Sequence, residues 1–120
     1  MTDTNDRADL DSPWKEVLEA YFPQAMQFFF PQVAALIDWE YPYEFLDKEL
    51  NQIAREAEIG KRYADKLVKV RRIQGEELWL LLHVEIQAQP EKKFPERMFT
   101  YNFRIFDRFH QHAISKANFV

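Results

Sequence analysis

The stretch ADKLVKVRRIQGEELWLLLHVEIQAQ, residues 64–89, decides the fold because it predicts a β-hairpin. Two apolar runs flank Gly75, and residues 74–77 supply turn chemistry between them. In the second run the even-numbered positions are apolar throughout, whereas the odd-numbered positions become polar toward the end. Glu85 and Gln87 therefore share one face of the predicted strand.

The hairpin also predicts a pair of carboxylates. If the turn is centred on Gly75, Asp65 lies directly opposite Glu85, with Cβ atoms about 4.5–5.5 Å apart. Facing carboxylates repel each other. A Mg²⁺ ion bound between them would attract both, and Mg²⁺ prefers oxygen ligands of this kind. The spacing alone allows either a metal site or two hydrated side chains at strand ends. In a metal site, neutralising either carboxylate should leave the metal-free stability unchanged or slightly raised.

Five blocks of the sequence resemble one family of nucleases. In chain order they are SPWKEVLEAYFPQAMQFFFPQ, EFLDKEL, ADKLVKV, HVEIQAQ and ERMFTYNFRIFDR. Asp65 followed by Glu85-Ile86-Gln87 is similar to the PD-(D/E)XK nuclease signature. Together the blocks resemble the recombination-promoting nuclease/putative transposase (Rpn) family, and in particular its bacterial, often cyanobacterial, transposase-like branch. Members of that family are usually longer, so the chain resembles a nuclease core without the usual C-terminal extension.

The resemblance implies an α/β fold with a PD-(D/E)XK (restriction-endonuclease-like) core, in which helices flank a mixed central sheet. It also implies a DNA endonuclease associated with recombination or mobile elements, with Mg²⁺ or Mn²⁺ as cofactor. Asp65 and Glu85 would be metal ligands, and Ile86 would contribute its backbone carbonyl. Gln87 would replace the lysine of the motif. Glutamine is neither a base nor a cation, but it can orient a water whose pKa the metal lowers.

Two further functions remain open at this point. One is a catalytically inactive DNA-binding or protein-interaction module of the same fold. The other is a structural remnant of a longer protein. His83 lies on the same face as the proposed ligands, and we expect it to be buried and hydrogen-bonded rather than catalytic.

The composition predicts one domain over residues 11–120, because 120 residues with 47% hydrophobic content suffice for a core. Residues 1–10 are expected to be disordered. No apolar run approaches the roughly 18 residues that span a bilayer, and the acidic N-terminus is unlike a signal peptide. We therefore expect no membrane contact. The absence of cysteine fits a cytoplasmic protein.

Charge is distributed unevenly along the chain. Residues 1–60 contain 4 Lys/Arg and 13 Asp/Glu, whereas residues 61–120 contain 12 and 7. The basic half contains the proposed site, as binding of a phosphate backbone requires. Ordinary strand and helix surface would give the same distribution.

The region before the hairpin predicts helices and one ambiguous segment. Ser12-Pro13 predicts a helix start, and Pro23 should interrupt or restart the helix. The run Phe28-Phe29-Phe30 indicates core packing rather than membrane contact, because basic residues do not flank it. Residues 46–57 fit a helix by spacing, but the resemblance favours a first strand near residues 48–53.

The region after the hairpin predicts a helix and a last strand. Residues 94–109 have one apolar face, which Phe99, Phe103 and Phe106 should widen. Residues 113–120 should form a strand parallel to the second arm, because a helical crossover leads to it. Basic side chains here are candidate DNA contacts or ordinary surface: Lys92, Lys93, Arg97, Arg104 and Arg108. Cutting both strands of a duplex commonly takes two active sites, so a symmetric homodimer is a further expectation.

Overall fold

The order of helices and strands is described for residues 15–58, 65–85 and 93–119 of a computed structural model. The chain begins there with α1, of which residues 15–20 are described. The elements that follow are α2 (Phe22–Phe29), α3 (Pro31–Ala34), β1 (Glu44–Phe45), α4 (Asp47–Glu56), β2 (Asp65–Arg71), β3 (Glu77–Glu85), α5 (Phe94–Phe109) and β4 (Ala113–Phe119). The expected disordered tail and the expected helix start at Ser12-Pro13 lie outside the described residues.

Prolines set the boundaries of the first helices. Pro23 lies in the first turn of α2, and α3 begins at Pro31. Proline is tolerated there because the N–H that it lacks would have no partner within the helix. The restart at Pro23 is confirmed.

The four strands form one mixed sheet in the order β1-β2-β3-β4. β1 pairs antiparallel with β2, β2 pairs antiparallel with β3, and β3 pairs parallel with β4. The helix α5 connects β3 to β4, which confirms the predicted parallel crossover.

Helices cover both faces of this sheet. One core lies between the sheet and the helices α1–α3, with Phe22, Met26, Val68, Leu80, Leu82 and Val84 among its buried residues. The other lies between the sheet and the helices α4 and α5, with Ile53, Leu67, Leu81, Met98, Tyr101 and Ile105 among its buried residues. In the run Phe28-Phe29-Phe30, the last two side chains are buried and Phe28 is exposed. The fold is therefore mixed α/β, with a sheet flanked by helices.

The register of the hairpin differs from the prediction by two residues. Asp65 pairs with His83, not with Glu85, and Arg71 pairs with Glu77. The reason lies in the loop: Gly75 N–H donates to the Arg72 carbonyl at 2.7 Å, and Arg72 N–H donates to the Glu76 carbonyl at 2.7 Å. This is a loop over residues 73–75 centred on position 74. Gly75 has φ 97° and occupies the left-handed bulge position at the end of the loop, rather than its centre.

The first strand predicted near residues 48–53 is wrong. These residues belong to α4, and β1 is a separate two-residue strand before it. Leu50, Ile53 and Ala54 are the buried residues of α4 and recur at helical spacing. Asp47 in the first turn and Arg55 in the last turn also complement the helix dipole. The helical periodicity was the correct indication, and the resemblance was misleading here.

The helix over residues 94–109 is confirmed, but its apolar face is narrower than predicted. Tyr101 and Ile105 are buried against the sheet. Phe99, Phe103 and Phe106, which were expected to widen that face, are exposed. Because α5 packs on the sheet along one side only, residues on its outer side do not reach the core.

Candidate functional site

Asp65 and Glu85 terminate neighbouring strands at the same end of the sheet. Asp65 is the first residue of β2, and Glu85 is the last residue of the antiparallel strand β3. Phe119, at the end of β4, pairs with Glu85 and lies at this end too. The structure thus brings the backbones of the two predicted ligands to one end of the hairpin, although not opposite each other.

The side chain of Asp65 belongs to a buried cluster with His83 and Arg97, which we call the Asp65 cluster. His83 Nδ1 lies 2.7 Å from Asp65 Oδ1, and Arg97 Nε lies 3.5 Å from Asp65 Oδ2. The side chains of Asp65, His83 and Arg97 are 3%, 1% and 6% exposed. A carboxylate only accepts hydrogen bonds, so His83 donates from Nδ1. This bond has the length of a charge-assisted hydrogen bond.

Aromatic rings close the Asp65 cluster from the side of α5 and β4. The ring centroids of Phe94 and Phe119 lie 4.9 Å and 5.5 Å from that of His83. Phe94 and Phe119 also pack edge to face, with centroids 5.2 Å apart. His83 is therefore fixed by ring packing as well as by its bond to Asp65, and its expected burial is confirmed.

One oxygen of Asp65 lies beside Arg97 without accepting a hydrogen bond. Within residues 15–58, 65–85 and 93–119, Oδ2 is buried and accepts no hydrogen bond. A buried polar atom without a hydrogen bond costs roughly 1–3 kcal/mol, so such atoms call for an explanation. The nearby Arg97 guanidinium compensates the charge of the carboxylate, and a cation at Oδ2 would do the same. Asp65 therefore offers an oxygen of the kind that Mg²⁺ or Mn²⁺ prefers, in a buried position beside Arg97.

The remaining predicted ligands fall outside what is described. Ile86 and Gln87 lie between the described ranges, and for Glu85 only the backbone is described. Among the described residues, no group of three or more His, Cys, Asp or Glu side chains is placed to hold a metal ion. Asp65 is thus the one predicted ligand whose side-chain surroundings are known.

No family model, curated protein or solved structure matches this chain. Within the described helices, none is long and apolar enough to cross a membrane.

The candidate DNA contacts occupy different environments. Arg97 is buried against Asp65 and is not at the surface, contrary to expectation. Arg108 pairs with Glu56, with Nη1 and Oε1 2.6 Å apart. Lys93 is exposed just before α5, and Arg104 is partly exposed on it. Lys92 lies outside the described residues. Of the described candidates, Lys93 and Arg104 are thus at least partly exposed, and Arg108 is held by Glu56.

Sequence reasoning missed a second buried cation, Lys66. Its Nζ lies 2.5 Å from Glu19 Oε1 of α1 and 2.8 Å from Asp47 Oδ1 of α4. Lys66 is 5% exposed, whereas both acids are about half exposed. Successive strand residues face opposite sides, so Lys66 lies across the sheet from Asp65. The pattern Lys66-x-Val68-x-Val70 was the available signal, because it places a lysine in a buried set.

Lys69 and Glu44 form a more exposed ion pair that joins β2 to β1. Lys69 Nζ lies 3.1 Å from Glu44 Oε1. The hydrogen bond and the charge of Glu44 raise the pKa of Lys69 above its usual value. Both side chains are more than a third exposed, so solvent screens the pair and its contribution to stability is small.

Proposed function

We propose that the chain is a metal-dependent endonuclease that hydrolyses phosphodiester bonds in DNA and belongs to the Rpn-like branch of the PD-(D/E)XK nucleases. The observation that carries the proposal is the position of Asp65 and Glu85. Asp65 begins β2 and Glu85 ends the antiparallel neighbour β3, so both residues lie at the same end of the sheet. Positions two residues out of direct register are about 7–8 Å apart. Side chains at that separation can share one hydrated ion.

The order and direction of the strands support the same proposal. After the first helices come the short strand β1, the helix α4, the antiparallel hairpin β2–β3, the crossover helix α5 and the parallel strand β4. The hairpin, the crossover helix and the parallel last strand agree with what the PD-(D/E)XK resemblance implies, whereas α4 stands where it implies a strand. Helices on both faces leave the strand ends as the accessible places for a site of this kind.

Asp65, Glu85 and the carbonyl of Ile86 are the groups that would hold the ion. A bound Mg²⁺ or Mn²⁺ would lower the pKa of a water and stabilise negative charge on a phosphate. His83 fixes the orientation of the Asp65 carboxylate through Oδ1, so Oδ2, which lies beside Arg97, is the atom that would bind the ion. Gln87 would orient the attacking water through hydrogen bonds. Lys93 and Arg104 would attract the phosphate backbone.

A binding module without cleavage activity is the second candidate, and one observation favours it. The Asp65 side chain is only 3% exposed and already has a charge partner in Arg97. A metal at Oδ2 would lie close to that guanidinium and would be repelled by it. In a binding module, the Asp65 cluster would be a structural ion pair alone.

Plasmid cleavage with Mg²⁺ or Mn²⁺ tests the proposal. The protein should cut supercoiled DNA, and chelation should abolish cutting. Glu85→Gln should lower the rate by about a hundredfold, because losing a direct ligand costs no less than losing an outer-shell partner of the metal. The matched control is Glu76→Gln, which changes an exposed acid at the other end of the hairpin and should cut normally.

A thermal melt provides a reading that does not depend on turnover. Saturating Mn²⁺ should stabilise the protein by about 2.7 kcal/mol at a hundredfold excess over Kd, and Glu85→Gln should lose most of that gain. DNA binding without cleavage and without Mn²⁺ stabilisation would favour the binding module instead. Cleavage that survives in Glu85→Gln would refute the proposed site.

A further inference from the structure

The two partners of Asp65 hold its carboxylate by contacts of unequal strength. His83 stands directly opposite Asp65 in the register of β2 and β3, and its Nδ1 donates to Oδ1 at 2.7 Å. Arg97 comes from the start of α5, and its Nε lies 3.5 Å from Oδ2 without forming a hydrogen bond. The contact at Oδ1 is therefore fixed by strand pairing and a hydrogen bond, whereas the contact at Oδ2 is an ion pair without one.

Arg97 supplies a positive charge that the buried carboxylate requires. The side chains of Asp65 and Arg97 are 3% and 6% exposed, so water compensates neither charge. A buried charge without a partner is strongly destabilising, and the guanidinium therefore stabilises the metal-free protein. Arg97 also has a contact that does not involve Asp65, because its Cζ lies 5.3 Å from the centroid of the Phe94 ring. This cation–π contact would remain available to Arg97 if another cation bound Asp65.

A divalent ion at Asp65 would need the oxygen that Arg97 already neutralises. His83 occupies Oδ1, so Oδ2 is the oxygen that remains for an ion. Two cations at one buried oxygen repel each other, because the protein interior screens charges less than water does. The ion and Arg97 therefore compete for Asp65, and by thermodynamic linkage each weakens the binding of the other by the same factor.

We propose that Arg97 is a positioning residue of the metal site, which takes the place of the ion in the metal-free protein and releases Oδ2 when the ion binds. The inference rests on the proposed function, because it needs an ion at Asp65. Arg97 keeps the buried carboxylate paired while the ion is absent, and it sets the ion concentration at which the site fills. A purely structural ion pair would stabilise the fold without competing with an ion.

Mn²⁺ binding to wild type, Arg97→Met and Arg97→Lys tests the proposal without turnover. The electron paramagnetic resonance signal of free Mn²⁺ measures affinity, and thermal melts measure stability. Arg97→Met should be less stable than wild type without metal, yet bind Mn²⁺ about tenfold more tightly, because the competing charge is gone. The same Mn²⁺ concentration should therefore raise its melting temperature more than that of wild type. Arg97→Lys keeps a positive charge and should have an affinity closer to that of wild type.

Two further variants are the controls. Arg108→Met removes an arginine of the same helix whose partner is Glu56, outside the Asp65 cluster, and it should bind Mn²⁺ as wild type does. Asp65→Asn combined with Arg97→Met removes the ligand as well as its competitor. This double variant should lose the tight binding that Arg97→Met alone gains.

The possible results separate the inference from the proposed function. Equal Mn²⁺ affinity in wild type and Arg97→Met, with plasmid cleavage by wild type intact, would overturn the inference and leave the proposed function standing. Absence of Mn²⁺ binding in both proteins would refute the metal site and the inference together. If Arg97→Met is unfolded without metal, folding on addition of Mn²⁺ would support the proposal, and a chain that stays unfolded would overturn it.

Discussion

At the scale of single residues, the Asp65 cluster changes the expected effect of neutralising Asp65 on the stability of the metal-free protein. From the sequence, neutralising Asp65 should relieve repulsion from Glu85 and leave the metal-free protein as stable as before or more so. In the structure, Asp65 accepts a hydrogen bond from His83 and lies beside Arg97, and all three side chains are buried. Neutralising it removes favourable contacts, because its nearest charged neighbour is a cation.

The first stability prediction follows from this cluster. Asp65→Asn should lower the free energy of unfolding by about 1–3 kcal/mol, since it weakens a buried hydrogen bond and leaves the Arg97 charge poorly compensated. Arg97→Met should cost about 3–5 kcal/mol, because it leaves a buried carboxylate. The double variant should cost less than the sum. Urea unfolding without metal measures all three, and strictly additive losses would contradict the coupling.

The exposed ion pair of Arg108 and Glu56 provides the control for the Asp65 and Arg97 variants. Arg108→Met breaks a contact to Glu56 in which both side chains are more than a third exposed. Solvent screens such a pair, so its loss should cost no more than about 1 kcal/mol. A loss as large as that of Arg97→Met would show that the cost comes from the stem of arginine rather than from burial of its partner's charge.

At the scale of elements, the register of the hairpin shows where the sequence was insufficient. The apolar alternation identifies both strands, but it does not say whether Gly75 lies at the centre of the turn or at a bulge after it. The two choices differ by two residues in pairing and keep every side chain on its face. Asp65 was therefore placed on the correct face and opposite the wrong residue.

The second stability prediction tests the role of Gly75 in setting this register. Its φ of 97° lies in the left-handed region, and an added Cβ would meet no atom within 4 Å. The cost of Gly75→Ala is therefore backbone strain alone, about 1–2 kcal/mol. Gly75→Asn should cost less, because asparagine tolerates this region better. Thermal unfolding measures both against Gln74→Ala, and an Ala variant as stable as wild type would exclude the bulge.

Three other elements show when local spacing and chain connectivity suffice. The bounds of α5 follow from its apolar spacing, and β4 follows from the crossover. For α4, burial of Leu50 and Ile53 agrees with helical spacing and overrides the strand that the resemblance favoured. Spacing reflects which side chains the core contacts, so it is the more direct physical indicator.

At the scale of the whole molecule, the sequence predicted the sheet better than the site. The α/β class, the hairpin and the parallel last strand follow from local pattern and chain connectivity. The contact of Arg97 with Asp65 joins α5 to β2 across the chain, and no local pattern reports such a contact. Its one signal was the helical spacing of Arg97 with Tyr101 and Ile105, which are buried on the same side of α5.

The crossover between β3 and β4 also sets an order of events in folding. The hairpin closes through a short loop, whereas β4 can pair with β3 only after the chain has passed through all of α5. Contacts between distant parts of a chain form late, because closing the long loop between them first costs conformational entropy. Amide hydrogens of β4 should therefore exchange faster than those of β3 in native-state hydrogen exchange, and equal protection would argue for a single cooperative unit. Since Phe119 of β4 packs on His83, the end of the sheet that holds Asp65 would be the last part of the molecule to become ordered.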